Sequence, residues 1–155
     1  LPTIVCAKLI MTEKQKPSHR SDFKEFSLIE TRWNDNDSYG HVNNIVYYSY
    51  FDTAVNRHLI QKGVLDLSNS EVIGLVIESK CTYFSPITFP DTVAVGLKVI
   101  HLGNSSVRYQ IGLFCNESVS ASAVGEFVHV YVERSTNKPV SIPDNTRKVL
   151  QALAN

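Results

Sequence analysis

Two periodicities divide the chain. From Lys24 to Trp33 the apolar residues Phe26, Leu28 and Ile29 stand among polar ones, which predicts one extended strand. A dense run of turn formers follows, Asn34-Asp35-Asn36-Asp37-Ser38-Tyr39-Gly40. From about Asn44 to Lys62 the spacing becomes helical. Tyr47, Tyr50, Phe51, Ala54, Val55, His58 and Leu59 form one stripe, and Ser49, Asp52, Thr53, Asn56 and Arg57 cover the opposite face. Asn43 or Asn44 can cap the start of this helix, and Gly63 stands where a left-handed stop is expected.

After a polar connection, Leu67 to Glu71, the pattern turns to strand and stays there. Runs cover roughly 74–84, 92–102, 105–116 and 119–134. The third alternates well, with Val107, Tyr109, Ile111, Leu113 and Cys115 on one face and Arg108, Gln110 and Asn116 on the other. Breaks fall at Ser85-Pro86, Pro90-Asp91, Leu102-Gly103-Asn104-Ser105 and Asn116-Glu117-Ser118. Beyond Pro139 a last amphipathic helix is predicted, with Pro143 near its first turn and Val149, Leu150 and Leu153 on one face. Strands joined by short turns favour antiparallel pairing, and a lone long helix must bury its stripe against them. The expected architecture is α+β: an antiparallel sheet wrapped around one central helix, with a short C-terminal helix.

Composition narrows the field by exclusion. The 155 residues suit one domain, and 43% hydrophobic with 19% charged residues is an ordinary globular balance. Fifteen basic residues against fifteen acidic ones argue against a nucleic-acid partner. No apolar run approaches the ~20 residues that span a bilayer. Cys6, Cys81 and Cys115 form neither a disulfide framework nor a CxxC metal pair, which predicts reduced, structural thiols. Residues 1–10 precede Met11, the one methionine, and read as a leader remnant or as sequence foreign to the natural protein. The expected organisation is a flexible tail over 1–22 and a single domain over 23–155. The expected location is the cytoplasm, or an organelle matrix if 1–10 are a leader remnant.

The stretch from Trp33 to Tyr48 concentrates two carboxylates, an imidazole, four Asn side chains and a Gly at the entrance to the main helix. A calcium loop fails, because Val46 stands where an EF-hand needs its bidentate Glu. A transition-metal site would have only Asp35, Asp37 and His41 and no further ligand at a telling spacing, so no metal is expected. A turn with an N-cap explains one or two of these residues but not the set. Acyl transfer uses more of them. The free N–H groups and positive dipole end of a helix start can bind a carbonyl oxygen as it becomes an oxyanion. Asp37, a few residues upstream, can activate water or attack the carbonyl. A thioester suits so sparse a site, since a thiol with a solution pKa of about 8.5 leaves without strong acid assistance.

The segment Arg32-Trp33-Asn34-Asp35-Asn36-Asp37-Ser38-Tyr39-Gly40-His41-Val42-Asn43-Asn44, followed by Tyr47 and an aromatic helix, resembles the hotdog-fold acyl-CoA thioesterases. It is closest to their 4-hydroxybenzoyl-CoA thioesterase-like branch, whose loop reads D-x-D-x-x-G-H-V-N-N in many members. The likeness covers about residues 24–150, with a similar Pro86…Pro90-Asp91 turn and Leu102-Gly103-x-Ser105-Ser106 hairpin. It implies that Asp37 is the catalytic carboxylate, as general base or nucleophile, and that the Asn44 backbone N–H faces the thioester carbonyl. Gly40 would allow the tight backbone approach, His41 and Asn43 would order the loop, and Asp35 would stabilise the turn. Tyr47 would touch the acyl group besides packing. Ser105, Ser106 and Arg108 would belong to the substrate-binding set, and Lys80, Lys98 and His101 are further charges that can meet CoA phosphates or simply face solvent. The resemblance also implies an acyl-CoA substrate, no separate cofactor, a role in lipid metabolism, and dimers or tetramers with the substrate at the subunit seam. The alternative is a hotdog protein that binds acyl-CoA or lipid without turnover, against which the intact Asp37 speaks.

Overall fold

The computed structural model describes residues 14–154. Residues 1–13 lie outside the described residues, and with them the reading of 1–10 and Cys6. Five strands form one antiparallel sheet: β1 (Glu25–Glu30), β2 (Val72–Tyr83), β3 (Thr92–Leu102), β4 (Ser106–Cys115) and β5 (Ala123–Glu133). Their order is β1-β3-β4-β5-β2, so β3, β4 and β5 form a meander while β2 crosses to the far edge. The expected antiparallel sheet on one helix is present, but β2 pairs with β5 and not with the strand that follows it in sequence. That crossing carries residues 84–91 across one end of the sheet, next to the start of the long helix.

The helix α1 (Asn44–Gln61) lies on the inner face, and its length matches the predicted stripe. Asn43 caps it, its Oδ1 accepting from the Ile45 N–H at 3.2 Å, and Gly63 stops it at φ +72°. Tyr47, Tyr50, Phe51, Ala54, Val55 and Leu59 are buried against Val95 and Leu97 of β3, Tyr109 and Ile111 of β4, and Phe127 of β5. The fit is tightest at Gly125, where an added Cβ would stand 2.3 Å from Phe51 Cε2. The C-terminal helix α2 (Asp144–Leu153) follows Pro143 and buries Leu150 and Leu153 in the same core.

Three boundaries differ from expectation, each for a visible reason. The first strand ends at Glu30 and not at Trp33, because Thr31 sends both its N–H and its hydroxyl to the Asp91 carbonyl. The last strand starts at Ala123 and not near 119, since 116–121 form a turn that docks the N-terminal segment. The domain also begins earlier than Phe23. The Arg20 N–H donates to the Val119 carbonyl, Ala121 N–H to that of Ser18, and the Arg20 guanidinium to the carbonyls of Asn116 and Ser118. Phe23 then covers the outer sheet face with Ala94, Phe114, Ala121 and Val124 as a second small core. Outward positions of β4 are thus apolar where this segment lies.

Gly125→Ala should lower unfolding stability by about 1–3 kcal/mol through overpacking against Phe51. Adding Phe51→Leu should return part of that loss, as a double-mutant cycle in urea will show. Simple additivity of the two would contradict the contact.

Candidate active site

The entrance to α1 is built on Asp35. Its side chain is 1% exposed and accepts hydrogen bonds from the Arg32 N–H (2.9 Å), the Arg32 guanidinium (3.0 Å) and the Tyr50 hydroxyl (2.8 Å). Its carbonyl accepts from the Asn43 N–H at 2.8 Å. One residue therefore fastens the turn after β1 to both the cap and the second turn of the helix. Burial alone would raise the Asp35 carboxyl pKa, but the Arg32 N–H, the Tyr50 hydroxyl and the Arg32 guanidinium outweigh it and hold the group below its ordinary value near 3.8.

Between Asp35 and Asn43 the chain makes a small hairpin. The Asp37 N–H donates to the His41 carbonyl (2.8 Å), and Gly40, at φ +80°, donates to the Asp37 carbonyl (3.1 Å). A left-handed residue is needed there, and glycine supplies it without a Cβ clash. The hairpin is clamped from the crossing segment: Thr88 donates its hydroxyl to the Gly40 carbonyl (2.7 Å), the Val42 N–H donates to Ile87 (2.7 Å), and Asn36 Oδ1 accepts from the Phe89 N–H (3.0 Å). Asp37 Oδ1 accepts from the Tyr39 N–H at 2.8 Å, which orients the carboxylate.

An open cleft of about 440 Å³ results, lined by Asp37, His41, Asn44, Tyr47 and, from the other side, Tyr83 and Pro86. At the helix start the Ile45 N–H is taken by Asn43 Oδ1 and the Val46 N–H by the Asn43 carbonyl. The Asn44 N–H, first in the helix, has no acceptor within it. Tyr83 was not singled out by sequence; it arrives on β2, donates to the Asn44 carbonyl at 3.3 Å and meets the Tyr47 ring edge-on at 4.9 Å. Burial raises the pKa of both the Tyr47 and Tyr83 phenols, so both stay protonated at neutral pH.

Residues 31–150 match the thioesterase-like superfamily. The chain belongs to that family. It is a thioester hydrolase with the hotdog fold. The PA5185 protein of Pseudomonas aeruginosa strain PAO1 has a similar structure, at TM-score 0.88 and 51% identity over 91% of this chain and 98% of that one. A thioesterase of Thermus thermophilus, solved with coenzyme A and Zn, aligns at TM-score 0.69 and 31% identity over 83% of this chain and 92% of that one. The YsmA protein of Bacillus subtilis strain 168 is 23% identical over 133 residues, 84% of this chain and 88% of that protein.

Not every residue singled out in the thioesterase sequence reaches the cleft. Asn43 spends its side chain on the helix cap, and Gly40 acts through the backbone. Asp35, bound to Arg32 and Tyr50, is not free to join Asp37 and His41 as a metal ligand. Among the described residues no three His, Cys, Asp or Glu side chains are grouped to hold a metal. Ser105 and Ser106 sit in the β3–β4 hairpin, and their carbonyls accept from the N–H groups of Tyr131 and Gly103. Arg108 lies on the outer sheet face between Glu78 (2.9 Å) and Glu126 (3.0 Å), and Lys80 shares Glu126 at 3.4 Å. Within one copy these residues are apart from the cleft. The two thiols among the described residues offer no rival nucleophile: burial pushes Cys81 to about 11, and burial with the Asp91 carboxylate pushes Cys115 to about 12.

Asp35→Asn should cost roughly 1–3 kcal/mol of stability at pH 7, since hydrogen bonds to a charged acceptor are lost. The native Asp35 carboxyl sits below its ordinary value near 3.8, so its contribution is full above that pH and fades as pH falls through the lowered value. Urea titrations of both proteins from pH 7 to pH 2 should converge at the acid end. A constant gap would contradict the assignment.

Proposed function

We propose that the protein hydrolyses acyl-CoA thioesters in the cleft at the start of α1. The observation that carries this reading is that Asp37 lines the same cleft as Asn44, the first residue of an eighteen-residue helix. The thioester carbonyl oxygen accepts from the Asn44 N–H, and the helix dipole favours the negative charge that grows there on attack. Asp37 takes a proton from the attacking water, or attacks the carbonyl carbon to give a mixed anhydride that water then cleaves. On either route the C–S bond breaks, CoA leaves as its thiolate, and the free acid remains. Gly40 and His41 hold the hairpin that presents Asp37, and Tyr47 with Tyr83 walls the acyl side. The coenzyme A bound by the Thermus relative supports CoA as the carrier.

Self-association belongs to the same proposal. Among the described residues the outer edge of the twelve-residue β2 has no pairing strand, and Leu75, Val76 and Ile77 are exposed. Two copies joined edge to edge through β2 would cover it.

Thiol release from acyl-CoAs of graded length, aromatic ones included, tests the reading. Asp37→Asn should lower kcat at least ~10²-fold while circular dichroism and sedimentation stay as in the native protein. Full activity in this variant would sink the role of Asp37. Tight binding by the native protein without release would replace hydrolysis by a carrier role.

A further inference from the structure

The core holds a group of three buried polar side chains on β4 and β5. Tyr109 OH, His129 Nε2 and Tyr131 OH are buried without a hydrogen-bond partner among the described residues. His129 is 3% exposed and Tyr131 4%, and the Tyr109 and Tyr131 hydroxyls interact with each other inside the core. Buried polar groups are costly to leave without partners, so His129 Nε2 and the Tyr131 hydroxyl favour a ligand that bonds them. His129 and Tyr131 line a cavity of about 180 Å³ with Leu59 near the end of α1, Val64 just beyond it, Val72 and Ile73 at the start of β2, and Asn56, whose amide donates to the Asp52 carbonyl. Gly74 keeps it open, since a Cβ there would lie 3.2 Å from His129 Nδ1 and 3.5 Å from the Tyr131 ring. Arg134, which also borders it, is occupied by the carbonyls of Leu67 and Ser68. Burial depresses the His129 pKa to about 4, so at neutral pH its ring offers a hydrogen bond and no charge.

The cavity lies at the wrong end of α1 to serve Asp37 of its own chain. Leu59 is fifteen residues beyond Asn44, about 22 Å along the helix. Antiparallel pairing of two β2 edges changes that. It sets the Val72–Gly74 end of one strand beside the Tyr83 end of the other, and Tyr83 borders the catalytic cleft. A cleft on one copy then opens toward the cavity of its neighbour.

We infer that this cavity receives the far end of the acyl group, and that His129 Nε2 and the Tyr131 hydroxyl bind a hydroxyl or keto oxygen carried there. The inference rests on the hydrolase reading above and specifies its substrate class: a compact acyl-CoA with a polar oxygen at the distal end. The size agrees, because an apolar cavity of about 150 Å³ already admits benzene. The polar pair gives the selectivity, because a site built to bond a hydroxyl rejects the analogue that leaves its groups unpaired.

Matched acyl-CoAs from four to ten carbons, each with and without a terminal hydroxyl or keto group, test this by thiol release. The native enzyme should favour an oxygenated member by ~10-fold or more in kcat/KM. Tyr131→Phe, nearly isosteric, should bring that ratio to about one, as should His129→Phe. Turnover with no preference for the oxygenated member at any length, or a ratio unmoved by Tyr131→Phe, would overturn the inference and leave the hydrolase reading standing. Failure to release thiol from any ester would overturn both. Mixing copies bearing Asp37→Ala with copies bearing Gly74→Val should restore release that neither shows alone. No restoration would overturn the placement of the cavity across the pair.

Discussion

The site depends on a buried carboxylate that does no chemistry. Asp35 joins the end of β1 to α1 through Arg32 and Tyr50, and its carbonyl holds the Asn43 N–H. These bonds fix where the helix begins. With that start fixed, the hairpin of residues 36–42 has no freedom to carry Asp37 away from the Asn44 N–H, because both of its ends are anchored and Thr88 and Ile87 grip its middle. A carboxylate and the first N–H of the helix are thus held by protein atoms, the condition under which the proposed electrostatic stabilisation would cost no reorganisation.

The sheet topology completes the arrangement. Had β2 paired with β3, residues 84–91 would form a tight hairpin away from the helix start. Because β2 pairs with β5 instead, those residues cross the sheet end and supply Thr88 and Ile87 to the clamp, while Tyr83 reaches the cleft wall. The same pairing leaves β2 as an edge and places the apolar cavity of His129 and Tyr131 at its opposite end. One strand therefore shapes a cleft, an exposed edge and a cavity.

Much of this was legible from residue order, for a physical reason. Asp37, Gly40, His41 and Asn44 fall within eight consecutive positions, so local turn and capping rules group them before any tertiary contact forms. The stripe from Tyr47 to Leu59 fixes one helix, and alternation fixes the strands. What escaped depends on pairing. Tyr83 and Thr88 look like any strand and loop residues until β2 crosses the sheet. Arg108 reads as a free cation until register sets it between Glu78 and Glu126, which come from two other strands. Residues 18–22 carry no hydrophobic period, because they dock through backbone bonds and one arginine.

In the proposed reaction a backbone N–H, and not a side chain, stabilises the oxyanion. Proline at Asn44 removes only that N–H from the main chain, and the position tolerates it: it is the first of the helix, and Asn43 already holds the extended conformation (φ −59°, ψ 138°) that precedes proline. Measured against Asn44→Ala, which keeps the N–H, Asn44→Pro should lose ~10²–10³-fold in kcat for acyl-CoA hydrolysis with stability nearly unchanged. Equal rates in the two variants would contradict the account.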